Sequence, residues 1–178
     1  MKMTSEARIY RMASMFYYTK GSGYAAMLKK SKYNGHPEID RSLGERFAKE
    51  LIHTDFFDGI DCIVPVPMYR WKKFRRRFNQ SEEIAQGIFM ATGIPVVYNL
   101  EAIKPHKTQT RRSSAERATL PSDIFRLSNP EELAGKHILL VDDIVTTGGT
   151  VAACSSAIRK VVPSAKLSLL SLAHTAFS

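Results

Sequence analysis

The feature that most constrains the fold of this chain is the segment from Ile138 to Thr150. Four consecutive apolar residues, 138–141, predict a buried strand, and two adjacent acids, Asp142 and Asp143, follow it directly. A strand this apolar must be covered on both faces, which is typical of a parallel sheet with helices on either side. Ligands of such sheets bind beyond the carboxyl ends of the strands, so the segment also predicts where the functional site lies.

The loop after the two acids has the composition of a phosphate site. It consists of small and hydroxylated residues: Thr146, Thr147, Gly148, Gly149 and Thr150. Such residues let backbone N–H groups approach a phosphate, and the helix predicted from 150 to 162 adds its positive N-terminus. The two carboxylates repel phosphate and suit hydroxyl groups or a divalent cation. A sugar phosphate meets both requirements.

Other phosphate-binding patterns do not fit this segment. A Walker A loop needs a Lys after its glycines, and a dinucleotide fingerprint needs Gly-x-Gly-x-x-Gly; neither is present. A phosphoacceptor receiver domain needs a further Asp downstream, and no Asp or Glu follows Asp143. A mere helix cap would not require two acids, three threonines and two glycines within nine positions.

The remaining periodicity predicts a single α/β domain over residues 1–178. Residues 1–58 are predicted to be helical, since Ile39, Leu43, Phe47 and Leu51 form one apolar face at four-residue spacing. Residues 59–178 alternate between strands near 60–67, 95–98, 124–127, 137–141 and 166–173 and helices near 79–92 and 150–162. This alternation predicts a mostly parallel central sheet flanked by helices. Residues 101–120 show no apolar periodicity and are predicted to form a long mobile connection.

Positive charge is concentrated in the middle of the chain. The formal net charge is +9, and residues 70–77 place six cations within eight positions. Such a stretch forms either a solvated face or a site for phosphates or a nucleic-acid backbone. Trp71 and Phe74 are interleaved with the cations, and they either pack beneath the loop or stack on the bases of single-stranded DNA.

Cysteine and histidine usage excludes several other classes of site. The two cysteines, Cys62 and Cys154, support no disulfide framework, and no Cys-x-x-Cys pair or histidine cluster predicts a zinc site. No apolar run reaches the ~18 residues of a membrane helix, and the first residues lack the apolar core of a signal peptide. A cytoplasmic protein is therefore expected.

Residues 138–150 resemble the signature for phosphoribosyl pyrophosphate (PRPP) of type I phosphoribosyltransferases. The rest of the chain is similar to the ComF/GntX-type branch of that family, the competence-protein ComF family. Four segments carry this likeness: 64–68 (Val-Pro-Val-Pro-Met), 77–80 (Arg-Phe-Asn-Gln), 108–110 (Thr-Gln-Thr) with Arg117 downstream, and, more weakly, 28–35. The resemblance implies the type I phosphoribosyltransferase fold, with a flexible hood over the active site.

The resemblance also implies a role for each matching residue. Asp142 and Asp143 would hold the ribose 2′- and 3′-hydroxyls and orient a hydrated Mg²⁺, the expected cofactor, while residues 146–150 cradle the 5′-phosphate. The loop after the first core strand corresponds to the pyrophosphate-binding loop of the family: Pro67, Met68, Tyr69 and Arg70. The connection from Lys104 to Arg117 corresponds to the mobile hood.

Fixed cations are required because pyrophosphate leaves with its negative charge from a cationic, oxocarbenium-like state. Arg70, Lys72 and Arg77 are the candidates for neutralising it, with Lys104 or Arg117 closing from the hood. Two departures from the family pattern stand out. Arg77 replaces a glycine of Arg-Gly-Phe-Asn-Gln, so its side chain is expected to narrow the loop or force the backbone away from positive φ. The cysteine-rich zinc module that begins many members is absent.

The implied activity is a Mg²⁺-dependent transfer of ribose 5-phosphate from PRPP to a nitrogen nucleophile. Proteins of this branch are often described as amidophosphoribosyltransferases, but no N-terminal glutaminase cysteine supports amide hydrolysis here, so the nucleophile stays open. The alternative is an accessory protein that binds PRPP or single-stranded DNA without turnover. The implied partners are PRPP and pyrophosphate, with single-stranded DNA, a protein of the competence machinery and further copies of the chain left open.

Overall fold

The computed structural model describes residues 7–19, 23–105 and 123–175. A four-stranded parallel sheet in the order β1-β6-β5-β2 forms its centre, built from β1 (Ile9–Tyr17), β2 (Cys62–Pro65), β5 (His137–Val145) and β6 (Lys166–His174). Val96 adds one parallel bridge beside Ile63 of β2. Two short antiparallel strands, β3 (Leu100–Ala102) and β4 (Phe125–Leu127), form a separate ribbon.

Five helices accompany these strands in the described part of the chain. In chain order they are α1 (Gly23–Asn34), α2 (Pro37–Leu51), α3 (Arg70–Arg76), α4 (Gln80–Thr92) and α5 (Gly149–Val161), with a short 3₁₀ turn at Pro130–Leu133. The predicted class, a mostly parallel sheet flanked by helices, is confirmed.

Alternate residues of the central strands feed two apolar cores, one on each face of the sheet. Leu140 and Leu169 pack with α5 and the β3–β4 ribbon. Leu139 and Leu170 pack instead with α1, α2 and α4. Both faces of β5 are covered, which agrees with the apolar run from Ile138 to Val141.

The prediction that residues 1–58 are helical is correct for α1 and α2 and wrong for Ile9–Tyr17. This segment forms β1, which pairs in parallel with β6 from Ile9 opposite Leu167 to Tyr17 opposite His174. Seven of its nine residues are half-buried, so burial does not alternate along the strand. The sequence therefore has no reason to alternate between apolar and polar residues, which is the pattern that identifies a strand covered on one face. Tyr10 and Tyr17 at its ends are exposed.

The backbone at Arg77 has φ +71°, so the expectation that this side chain would force the backbone away from positive φ is wrong. Arg77 ends α3 as a left-handed cap, and its N–H donates to the carbonyl of Lys73. A residue with a Cβ is strained in this conformation, which favours glycine. The turn therefore keeps the glycine-type geometry at a cost in stability.

Replacing Arg77 by glycine should relieve that strain. We expect the free energy of unfolding to rise by about 0.5–1 kcal/mol, because relief of the left-handed strain exceeds the extra entropy of an unfolded glycine. Thermal denaturation should show a Tm higher by roughly 2–4 °C. The opposite exchange at the left-handed cap of α4, Gly93→Ala at φ +73°, serves as the control and should lower Tm. An unchanged or lower Tm for Arg77→Gly would contradict the strain.

No helix within residues 7–19, 23–105 and 123–175 combines the length and apolar composition needed to cross a bilayer.

Candidate active site

Asp142 and Asp143 lie near the carboxyl end of β5, where the predicted site was expected. The strand continues through them to Val145, four residues beyond the apolar run. Asp142 is 8% exposed and Asp143 is half-buried. Oδ1 of Asp142 accepts from the Ser81 hydroxyl at 3.2 Å and from the Asp143 backbone N–H at 2.9 Å. Oδ1 of Asp143 accepts from the Ile144 N–H at 2.8 Å, so both carboxylates are held in fixed orientations.

The loop from Thr146 to Thr150 leads directly into α5. Gly148 adopts φ +78° as the residue before the helix and offers no side chain to cap it. The first N–H groups of a helix have no intrahelical partner, and the first turn of α5 contains no acid that would oppose an anion. Thr146 and Thr150 line a cavity beside Asp142 and Asp143. This end of the helix fits a phosphate.

The cavity has a volume of about 350 Å³, within the range of sites that hold small molecules. Pro67 and Met68, from the loop after β2, form part of its wall, as the resemblance implies. Tyr18, which follows β1, forms another part, and its N–H donates to the His174 carbonyl at 2.7 Å. The N-terminal strand thus contributes a residue to the site.

Two cations of the described part of the chain line the cavity: Lys72, a predicted leaving-group residue, and Arg76. They lie four residues apart on α3, and so on one face of it. Arg70 and Arg77, two other predicted leaving-group residues, are exposed and are not among the lining residues. Lys73 binds both carboxylate oxygens of Glu82 at 2.7 Å.

Asn79 links the cationic segment to α4. Its side-chain oxygen accepts from the Ser81 N–H at 3.2 Å and so caps α4, and its amide donates to the Val66 carbonyl at 3.0 Å. Ser81 in turn donates to Asp142. The loop after β2, the start of α4 and the acids of β5 are therefore connected by consecutive hydrogen bonds.

Sequence reasoning assigned no role in the site to seven residues that line the cavity: Tyr18, Val66, Arg76, Asn79, Gln80, Ser81 and Ile144. Arg76 could have been found from its four-residue spacing to Lys72, once residues 70–76 were treated as a helix. Gln80 belongs to the 77–80 segment that carries the family resemblance and Ser81 to the predicted helix, but neither pattern indicates a contact with the cavity. For Tyr18 the sequence carries no comparable signal.

The predicted hood residues fall partly outside the described chain. Lys104 lies just after β3, where it forms an ion pair with Asp123, and it does not line the cavity. The hydrogen bond from Lys104 lowers the pKa of the Asp123 carboxyl. Arg117 and residues 108–110 lie outside the described residues.

The donor set was tested for fit to the implied Mg²⁺. No group of three or more His, Cys, Asp or Glu side chains that could hold a metal ion occurs in the described ranges. Mg²⁺ prefers one or two carboxylates together with waters and substrate phosphates. The pair formed by Asp142 and Asp143 fits that requirement.

Neither cysteine is suited to act as a nucleophile. Burial raises the pKa of Cys62 to about 11. Burial also raises the pKa of Cys154, and the negative charge of Asp142 raises it further. Because thiols react as thiolates, both side chains behave as small apolar groups of the core at neutral pH.

Comparison with known proteins identifies similar sequences. Residues 73–174 match the Phosphoribosyl transferase domain family. Competence protein F of Haemophilus influenzae is 27% identical over 140 residues, which are 76% of this chain and 61% of that protein. DNA utilization protein YhgH of Escherichia coli K12 is 31% identical over 132 residues, 71% of this chain and 56% of that protein. The chain thus spans less than two thirds of the length of these relatives.

Solved structures share the fold at low sequence identity. An adenine phosphoribosyltransferase aligns with a TM-score of 0.51 and 20% identity, covering 79% of this chain and 72% of its own. The adenine phosphoribosyltransferase of Saccharomyces cerevisiae aligns with a TM-score of 0.50 and 17% identity, covering 96% and 89%. The Bacillus subtilis glutamine PRPP amidotransferase has a TM-score of 0.50 and 18% identity, covering 80% and 30%.

Proposed function

Because the chain belongs to the Phosphoribosyl transferase domain family, we propose that it binds PRPP in the cavity at the end of β5 and transfers ribose 5-phosphate to a nitrogen nucleophile. The observation that carries the proposal is one cavity lined by two adjacent carboxylates, by the loop that begins a helix, and by two cations. Each of these groups suits a different part of PRPP.

Asp142 and Asp143 accept hydrogen bonds from the ribose 2′- and 3′-hydroxyls, a role that suits ionised carboxylates, which only accept. The 146–150 loop and the first turn of α5 bind the 5′-phosphate through backbone N–H groups. Lys72 and Arg76 bind the pyrophosphate. In the reaction the C1–O bond to pyrophosphate breaks and the bond from the nucleophile nitrogen to C1 forms. Pyrophosphate leaves with the electron pair, and the nitrogen releases its N–H proton to solvent.

Neutralising the leaving group is the main chemical task of this site. Lys72 and Arg76 stabilise the charge that builds on pyrophosphate as the C1–O bond lengthens, and such fixed charges contribute most where water is excluded. Asp142 and Asp143 would hold Mg²⁺, which when bound would supply further neutralisation of phosphate charge.

Pyrophosphate release tests the activity directly. The protein is incubated with PRPP, Mg²⁺ and a panel of nucleobases, ammonia and primary amines, and pyrophosphate is measured with and without each acceptor. Release that depends on an acceptor is the expected result. PRPP binding without release from any acceptor would instead support a protein that binds PRPP without turnover, and no binding at all would contradict the proposal.

Charge removal on α3 should separate the two sets of cations. We expect Lys72→Ala with Arg76→Ala to weaken PRPP binding by at least about tenfold, since each charged contact contributes roughly 1.5–3 kcal/mol when well formed. The control, Arg70→Ala with Arg75→Ala, removes the same charge from exposed positions of the same helix and should change the affinity little. Titration calorimetry measures both. A larger loss of PRPP affinity in the control variant would instead assign pyrophosphate binding to Arg70.

A second candidate function, binding of single-stranded DNA, is favoured by the surface of α3. Trp71 is 64% exposed and Phe74 is 82% exposed, so the interpretation that they pack beneath the loop is wrong. Arg75 lies four residues after Trp71 on the same side of the helix. Exposed aromatic rings beside cations suit stacking on bases with contacts to the phosphate backbone. Relatives named for competence and DNA utilization are consistent with this function.

Fluorescence anisotropy with a labelled oligothymidylate tests this candidate. We expect binding that weakens steeply between about 50 and 200 mM salt, because phosphate contacts release counterions. Trp71→Ala with Phe74→Ala should weaken it by at least about tenfold, since each stacked base contributes ~1–3 kcal/mol. Phe89→Ala, an exposed aromatic on α4, is the control. An oligothymidylate affinity that does not change with salt concentration, or an equal loss of affinity in the α3 variant and in Phe89→Ala, would contradict DNA binding at this surface.

A further inference from the structure

Gln80 is a buried side chain with a hydrogen-bond donor that nothing in the described chain accepts. It is the first residue of α4, it is 3% exposed, and it lines the cavity. Its Nε2 atom has no hydrogen-bond partner among residues 7–19, 23–105 and 123–175. Nearly all buried polar groups of folded proteins are paired, so an unpaired amide in a cavity wall indicates a role outside the folding of the free protein.

The neighbours of Gln80 make the missing bond more specific. The preceding Asn79 uses its amide on Val66 and its oxygen on Ser81, and Ser81 donates to Asp142. The start of α4 is thus well satisfied on both sides of Gln80. A methionine of similar length would fill the same space without desolvating an amide, so packing alone does not account for glutamine here.

The chemistry of the cavity indicates which group supplies the acceptor. Ribose hydroxyls can donate hydrogen bonds to the carboxylates of Asp142 and Asp143, whereas phosphate oxygens need hydrogen-bond donors from the protein. Gln80 lies in the chain between the cationic helix α3 and Ser81, which binds Asp142. An amide N–H₂ donates to phosphate oxygens without adding charge, so it does not oppose a cation held by the neighbouring acids.

We propose that Gln80 is a positioning residue for the pyrophosphate group: its Nε2, unpaired in the free protein, donates to a pyrophosphate oxygen of PRPP when the substrate fills the cavity. This inference rests on the proposed function, because it presupposes that PRPP occupies the site. Its consequence is that the amide weakens the free protein and strengthens the complex, which is the reverse of what a structural hydrogen bond does.

The experiment compares wild type, Gln80→Met and Gln86→Met. The first variant removes the donor at nearly constant size, and the second is a control on the same helix, where the exposed Gln86 amide donates to the Tyr98 hydroxyl. Calorimetry measures binding of PRPP, inorganic pyrophosphate and ribose 5-phosphate, each with Mg²⁺, and thermal denaturation measures Tm without ligand. If Gln80→Met aggregates, Gln80→Glu keeps the shape, exchanges the donor for an acceptor and carries the same test.

For Gln80→Met we expect affinity for PRPP and pyrophosphate to fall by about tenfold, the usual effect of one lost ligand hydrogen bond. Affinity for ribose 5-phosphate should stay unchanged, and Tm without ligand should be equal to or higher than that of wild type. Unchanged PRPP affinity, an equal loss for ribose 5-phosphate, or a Tm lowered by several degrees would each overturn the assignment. If wild type binds none of the three ligands, the proposed function itself fails, which is a distinct result.

Discussion

The double substitution Asp142→Asn with Asp143→Asn should lower the affinity for PRPP by at least about 100-fold, because two charge-assisted hydrogen bonds to the ribose are lost together. The fold should tolerate the change. Asparagine keeps an oxygen that accepts from Ser81 and from the backbone N–H groups that now bind the two carboxylates. Calorimetry with PRPP and Mg²⁺ measures the loss, and circular dichroism checks that the secondary structure is unchanged.

The control for this variant removes the same charge elsewhere. Asp55 and Asp58 are exposed acids in the connection between α2 and β2, so Asp55→Asn with Asp58→Asn changes the net charge equally and leaves the cavity intact. PRPP affinity that falls equally in both double variants would trace the effect to overall charge. Full affinity in the 142/143 variant would show that the acids do not contact the substrate.

Among the substitutions described, Gly87→Ala is expected to lower the free energy of unfolding the most. A Cβ built on Gly87 of α4 would lie 2.0 Å from the carbonyl oxygen of Arg41 and 2.6 Å from the backbone nitrogen of Glu45, both in α2. One on Gly44 of α2 would lie 2.4 Å from the Ile84 carbonyl oxygen. These neighbours are backbone atoms within helices, so the two helices must separate to admit a methyl group.

Two effects of opposite sign act in Gly87→Ala. Alanine gains up to ~1 kcal/mol in helix propensity, whereas overpacking typically costs 1–3 kcal/mol and more when backbone must move. We expect a net loss of about 2–3 kcal/mol and a Tm lower by roughly 5–10 °C. Gly23→Ala, at the start of α1 where nothing lies within 4 Å of the added atom, is the matched control and should not lower Tm. An equal Tm for both variants would contradict the close packing of α2 and α4.

The elements that sequence reasoning located correctly are those whose local signals agree with their surroundings. The apolar run before Asp142 reports burial on both faces of β5, and Gly93 ends α4 as a left-handed cap. At these places the local preference and the tertiary environment require the same residues. The sequence did not predict β1 because this strand lies at one end of the described sheet. Its residues are half-buried on both faces, so its apolar residues show no clear period.

The acids, the loop and Lys72 of the candidate site were predicted from the sequence, whereas Arg76 was not, and the predicted Arg70 and Arg77 do not line the cavity. Within residues 70–77, charge alone does not distinguish one Lys or Arg from another; the orientation of α3 does, and it places Lys72 and Arg76 on the cavity. The segment after α3 is held by a contact with another part of the chain, the hydrogen bond from the Asn79 amide to the Val66 carbonyl, which periodicity does not reveal. Gln80 was overlooked for the same reason, since an unpaired donor is visible only once its neighbours are placed.

The position of β1 beside β6 bears on where this protein could be cut. The family match begins at residue 73, after β1, α1, α2 and β2. A fragment with that boundary would retain β5 and β6 but lose β2, which pairs with β5, and β1, which pairs with β6. Both strands would then be edge strands, and their unpaired peptide groups favour aggregation. It would also lose Tyr18 and the 66–69 loop. We therefore expect residues 73–174 on their own to aggregate rather than to fold.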